Sequence, residues 1–249
     1  MRYTLKTLHL LRAVTPVLFP AGRNYNLRVL KLFTGNILAY WPLWEASGSV
    51  IADISGNGHN GTYADVTLGQ PGIGDGHTSP LFDGAASYGD VTSAGLSTLF
   101  NGAEGTLAIW AKVSAAPVWG DGALRRAIHH IVDASNLASI WKAAAANSLT
   151  LSYIAGGTTK EITITTTSTA WNHYALTWSA SGDQVKAYLN GAQTGSMLTG
   201  LGAWTRADVV SLIGANSVVP ANVWSGWLAH ALLLDRPATP AEIANLAVV

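Results

Sequence analysis

From residue 37 onward, apolar and polar positions alternate in short runs that turn residues interrupt. In the run 106–113, Leu107, Ile109, Ala111 and Val113 fall on one side of an extended chain. In 184–189, Val185, Ala187 and Leu189 do the same. Period two with one apolar side is the pattern of a half-buried antiparallel strand. Strands are predicted at 37–44, 79–82, 106–113, 127–132, 138–141, 148–154, 161–167, 173–178, 184–189, 209–213 and 224–234. Asn190-Gly191 follows the run 184–189 directly. It predicts a two-residue hairpin, because both residues tolerate positive φ. Glycine-rich stretches at 55–61 and 69–76 read as loops. Many short strands and almost no helix point to an all-β sandwich or barrel.

One helix is predicted at the C-terminus. Thr239 is placed to cap it, Pro240 suits the first helical position, and Glu242 completes a capping box. Ile243 and Leu246 supply its apolar face. A weaker helical turn is expected at 95–101. Residues 1–36 read differently from the body. They mix Leu, Val and Phe with basic residues, lack helix caps, and contain Pro16 and Pro20, which break a long helix. They are expected to form an extended N-terminal arm beside a domain at 37–249.

Charge separates the same two parts. Residues 1–36 hold Arg2, Lys6, Arg12, Arg23, Arg28 and Lys31 and no acid, whereas the rest holds 8 basic and 14 acidic side chains. The body therefore offers no broad basic surface, and no nucleic acid partner is expected. Only 11% of residues are charged and 49% are hydrophobic, so protein neighbours are expected to cover part of the surface. There is no cysteine, which excludes disulfides and thiolate metal sites. No apolar run reaches the length of a membrane span. The stretch 8–19 is interrupted by Arg12 and Pro16, and Pro20-Ala21-Gly22-Arg23 is a poor cleavage site, so no signal peptide is expected.

Ordered landmarks then narrow the fold. They run Ala39-Tyr40-Trp41-Pro42-Leu43, Asp53-Ile54-Ser55-Gly56-Asn57-Gly58-His59-Asn60-Gly61, Leu81-Phe82-Asp83-Gly84, and Gly105-Thr106-Leu107-Ala108-Ile109-Trp110. Trp171-Asn172-His173-Tyr174-Ala175-Leu176-Thr177-Trp178, the hairpin Ala187–Gly191, Trp227-Leu228-Ala229 and Pro240-Ala241-Glu242-Ile243 complete the series. In this order they resemble the laminin-G-like jelly rolls of the concanavalin A-like lectin/glucanase superfamily, from about Leu38 to Leu246. The resemblance implies two antiparallel sheets packed face to face, one of them concave. Its relatives bind glycans, bind proteins or build assemblies, and many phage virion proteins carry such a body. Fold alone does not choose among these roles.

Candidate chemistry is sparse. Superfamily glycosidases place paired glutamates on one strand, and a glycosidic bond needs two flanking carboxyl groups. Here the four glutamates, Glu45, Glu104, Glu161 and Glu242, are scattered. No enzyme is expected. His129 and His130 are strand neighbours, so they point to opposite faces and do not share a metal. Asp53 and Asn57 lie in a short glycine-rich loop, and Asp235 follows the last strand. Relatives hold a structural calcium near this loop, and these oxygens are of the kind calcium takes. The same residues also suit an Asx-type turn in which Asp53 and Asn57 bond their own backbone. Trp41, Trp110, Trp171 and Trp178 fall on family core positions. Trp119, Trp141, Trp204 and Trp224 sit at strand ends or loops and are the ligand or interface candidates, whether for glycan or for protein.

The expected function is a non-catalytic structural or adhesive module of a homo- or hetero-oligomeric assembly, a virion protein such as a capsid decoration or tail component. Arg12, Phe19, Arg23 and Arg28 of the arm would anchor it. The alternative is a lectin-like module of a bacterial surface or secreted protein.

Overall fold

The computed structural model describes residues 25–205 and 209–249. Helix α1 (Tyr25–Leu32) precedes β1 (Ile37–Trp41), β2 (Val50–Ile51), β3 (Gly61–Ala64), β4 (Thr67–Pro71), β5 (Thr78–Asp83) and β6 (Tyr88–Asp90). Helix α2 (Ala94–Leu99) and β7 (Glu104–Val113) follow, then a 3-10 turn (Ala116–Gly120), β8 (Arg125–Asp133), β9 (Asn136–Lys142), β10 (Ser148–Ala155) and β11 (Thr158–Thr165). The chain ends with β12 (Asn172–Ser179), β13 (Gln184–Leu189), β14 (Ala192–Leu198), β15 (Val210–Ile213), β16 (Ser225–Leu234) and helix α3 (Pro240–Leu246). Two antiparallel sheets form a sandwich. The first runs β14-β13-β12-β7-β16-β5-β4, with β1 also paired to β16; the second runs β11-β10-β9-β8-β15-β6-β3-β2.

The local signals of the sequence are met. β13 and β14 join through Asn190 and Gly191 at φ 49° and 86°, with Leu189 opposite Ala192. Both turn residues sit in the left-handed region, which a primed hairpin turn requires. Thr239 caps α3, and Thr239 and Glu242 bond reciprocally in a full capping box. Strands β2, β3, β4, β6 and β14 were not predicted. They are two to seven residues long, and β14 exposes almost every side chain, so it carries no alternation to detect.

The main core fills the space between the sheets, with Trp41, Phe82, Ile109, Ile140, Leu151, Leu176 and Trp178 all buried. A second core lies on the outer face of the first sheet. There Tyr40, Trp110, Tyr188 and Leu232 meet Tyr25, Val29 and Phe33 from α1 and its end, and Ile243 and Leu246 from α3. This corrects the expected arm boundary. Residues 25–36 pack on the sandwich, because Tyr25, Val29 and Phe33 recur every four residues and form one apolar stripe on the helix. Arg28 is no free anchor either: its Nη2 donates to the Val248 carbonyl, and its guanidinium lies 5.0 Å from the Tyr25 ring centroid. Arg12, Phe19 and Arg23 lie outside the described residues. Among the described residues no helix is long and apolar enough to cross a membrane.

Candidate binding face and its relatives

The outer face of the second sheet is built by register. Arg126 on β8 stands opposite Trp141 on β9, His129 opposite Ser139, and Ser152 on β10 opposite Glu161 on β11. Residues directly opposite on antiparallel strands share a face. Trp141 donates from Nε1 to the Ser152 hydroxyl at 2.8 Å, and Ser152 donates to Glu161 Oε1 at 2.8 Å. The Arg126 guanidinium lies 4.7 Å from the Trp141 ring centroid, within cation–π range. Its Nη1 donates to Ser139 Oγ at 3.3 Å. Burial draws the Arg126 pKa down to about 10, against the pull of Glu161, so it remains a cation at neutral pH. Burial, reinforced by Arg126, pushes His129 down to about 3, which leaves it neutral. The result is a partly exposed indole flanked by a guanidinium, a carboxylate and hydroxyls. Such a surface can stack on the apolar face of a ring and hydrogen-bond its hydroxyl groups.

Of the four tryptophan candidates, only Trp141 belongs to this face. Two are corrected. Trp119 is 2% exposed and donates to the Ser168 carbonyl; Trp224 is 1% exposed and donates to the Lys112 carbonyl. Both fill the main core, where an indole contributes more by burial than by display. Trp204 is partly buried. It stacks on Tyr153 with ring centroids 5.8 Å apart and meets Phe100 edge-on at 5.3 Å, so it closes the core within the domain. Arg126, Ser139, Ser152 and Glu161 were missed. Their signal is cross-strand register, which needs the pairing of β8 to β11 to be known.

His129 and His130 do point apart. His130 bonds Ser211 Oγ at 2.6 Å and meets Phe100 edge-on on the core side. The Asp53 loop is dense in hydrogen bonds. Asp53 Oδ1 accepts from the backbone N–H of Tyr40 (3.0 Å) and Ser55 (2.9 Å); Oδ2 accepts from the Ser55 hydroxyl and the His59 N–H, each at 2.8 Å. Asn57 Nδ2 donates to the carbonyls of Ile37 and Leu38, and Asp235 donates its backbone N–H to Asn36. Each carboxylate oxygen of Asp53 thus already holds two donors, and among the described residues no three His, Asp or Glu side chains gather as metal ligands. This donor set is that of the Asx turn and does not fit calcium.

The glutamates are dispersed and engaged. Glu45 accepts from Ala52 N–H and the Tyr63 hydroxyl, Glu104 from Ser181 N–H, Glu161 from Ser152, and Glu242 from Arg236 and Thr239.

Solved structures share this fold at low identity. Domain 4 of an extracellular arabinanase from Geobacillus stearothermophilus, in complex with arabinotriose, aligns with a TM-score of 0.61 and 17% identity over 85% of this chain and 98% of that one. The receptor binding domain of botulinum neurotoxin C/D mosaic serotype aligns at 0.66 and 12% over 85% of this chain, which spans 50% of that domain. A sialidase of Trypanosoma rangeli aligns at 0.60 and 14% over 84% of this chain and 32% of that one. No curated protein matches the sequence. A family model for concanavalin A-like lectin/glucanases matches residues 83–244, most of the sandwich, and the chain belongs to that superfamily.

Proposed function

We propose that the chain is a non-catalytic recognition module that binds glycan across the outer face of β8 to β11. The carrying observation is the Arg126–Trp141–Ser152–Glu161 array, which presents an aromatic platform together with hydrogen-bonding groups of both polarities. The dispersed glutamates support a role without hydrolysis, since a glycosidase needs two carboxyl groups flanking one bond. A glycan-array screen of the full chain tests the reading. Trp141→Ala should weaken the strongest interaction at least tenfold while leaving the melting curve unchanged. Binding that survives this change would place the ligand elsewhere.

The sequence of residues 1–24 favours a second, compatible role. It is basic, free of acid and rich in Leu and Val, whereas the sandwich is acidic. Such a segment suits attachment of the module to neighbouring subunits of a larger assembly such as a virus particle, with charge guiding register more than affinity. Deleting residues 1–24 should then abolish co-assembly and leave glycan binding intact.

A further inference from the structure

The helical layer covers only part of the first sheet's outer face. Where it stops, a cavity of about 240 Å³ opens between β12–β13 and the turn into α3. Its floor is set by strand alternation: Thr177 and Ser179 of β12, and Gln184, Lys186 and Tyr188 of β13, share the outer face. Its wall is Pro237, Ala238, Thr239 and Pro240. That wall is tied down. Arg236 pairs with both oxygens of Glu242 at 2.9 and 2.8 Å, Thr239 closes the capping box, and the Ala238 N–H donates to Thr106 Oγ1 at 2.7 Å.

The cavity combines three things a ligand could use. Among the described residues, the Lys186 ammonium and the Gln184 amide have no hydrogen-bond or ion-pair partner. The Tyr188 side chain is buried at its floor. The prolines and Ala238 supply apolar contact. One lysine and no acid line the cavity, so it favours a single negative charge; a lone ammonium acts as a point charge and not as a bidentate fork. The volume falls below the ~300–1,000 Å³ of pockets that take drug-sized ligands, and suits one ring.

We propose that this cavity is a second binding site, for a monoanionic pyranose of the hexuronate type. Its carboxylate would meet Lys186, its hydroxyls would meet Gln184 and Ser179, and its apolar edge would lie on Pro237 and Pro240. The ligand class rests on the glycan reading above, but the site lies on the opposite sheet.

Calorimetric titration of the full chain with galacturonate, glucuronate, galactose and acetate tests it. The expected result is millimolar binding of a uronate, about tenfold tighter than of the neutral sugar or of acetate; for a pocket that closes on so few atoms, millimolar affinity is the natural scale. Lys186→Met should remove the preference for the uronate, and Gln184→Ala should weaken binding severalfold, both with an unchanged melting temperature. Trp141→Ala should leave uronate binding unchanged, which separates this site from the face on β8 to β11. Equal binding of galactose, acetate binding as tight as the uronate's, no heat with any uronate, or uronate binding unaffected by Lys186→Met would each overturn the proposal.

Discussion

His230 Nε2 lies 3.0 Å from Asp75 Oδ2, with both side chains buried beneath α1. His230 sits at an irregularity of β16 opposite β7, at φ 52°, where the chain gives up regular pairing. That backbone aims the imidazole outward, against the Tyr25 ring at 4.4 Å and toward the Tyr40 hydroxyl, 2.8 Å from Nδ1. Tyr40 in turn bonds Asn26 of α1. Burial opposes the Asp75 charge, but the His230 ring 3.0 Å away and the hydrogen bond from the His77 N–H outweigh it and hold the carboxyl below its usual range. The relay joins the Asp75 loop, β1, β16 and α1 in one buried polar network.

Removing one member of such a network leaves a buried group without its partner, which typically costs about 1–3 kcal/mol. Asp75→Ala and His230→Ala should each lower the midpoint of urea unfolding by a corresponding amount at unchanged slope. The double variant should cost less than the two single changes added, because they share one interaction. Additive losses would show that the two side chains act separately.

Helix α1 is predicted to be indispensable. Tyr25, Val29 and Phe33 are buried, and three such side chains contribute roughly 5–9 kcal/mol, a large part of the ~5–15 kcal/mol total stability of a domain. A chain lacking residues 1–24 should melt cooperatively, while one lacking residues 1–36 should not. Circular dichroism of the two truncations decides the matter. Equal melting would return residues 25–36 to the role of a separable arm.

Acid should destabilise the protein well above the carboxylate range. Burial, the largest cause in each case, pushes His129, His130 and His173 down to about 3. Between pH 6.5 and 3 the unfolded chain therefore binds protons that the folded chain does not. Stability is fully present above pH 6.5 and is lost as pH falls, by about 1.4 kcal/mol per unit for each histidine. Urea unfolding at pH 5.5 should show a loss of about 4 kcal/mol relative to pH 7.5. His130→Gln should reduce that loss by about a third. Equal stability at the two pH values would mean that these imidazoles titrate normally.

The Asp53 loop should be held by its own backbone. Asp53→Ala strips acceptors from the N–H groups of Tyr40, Ser55 and His59, and buried donors left without partners cost about 1–3 kcal/mol each. The melting temperature should fall by several degrees. A calcium chelator should leave the wild-type curve in place. A fall on chelation that added calcium reverses would put an ion in this loop.

Short-range chemistry explains what the sequence determined by itself. The Asn190-Gly191 turn and the capping box of Thr239 and Glu242 act within four residues, and the alternation of Leu107, Ile109, Ala111 and Val113 needs only one strand. The family landmarks add the order of the sandwich. The candidate site was legible only in Trp141. Its partners stand on β8, β10 and β11, and they converge because cross-strand register, set by the whole sheet, places alternate residues on one face. Trp119 falls between predicted strands and Trp224 at the very start of one, yet long-range packing draws both into the core. The stripe of Tyr25, Val29 and Phe33 was visible in principle, but a helix of 8 residues gains its stability from the surface it covers, which the sequence does not show. The meeting of His230 with Asp75 was decided by tertiary structure alone: one side chain comes from a glycine-rich loop and the other from a strand irregularity, and only the packed sheet brings them within 3.0 Å.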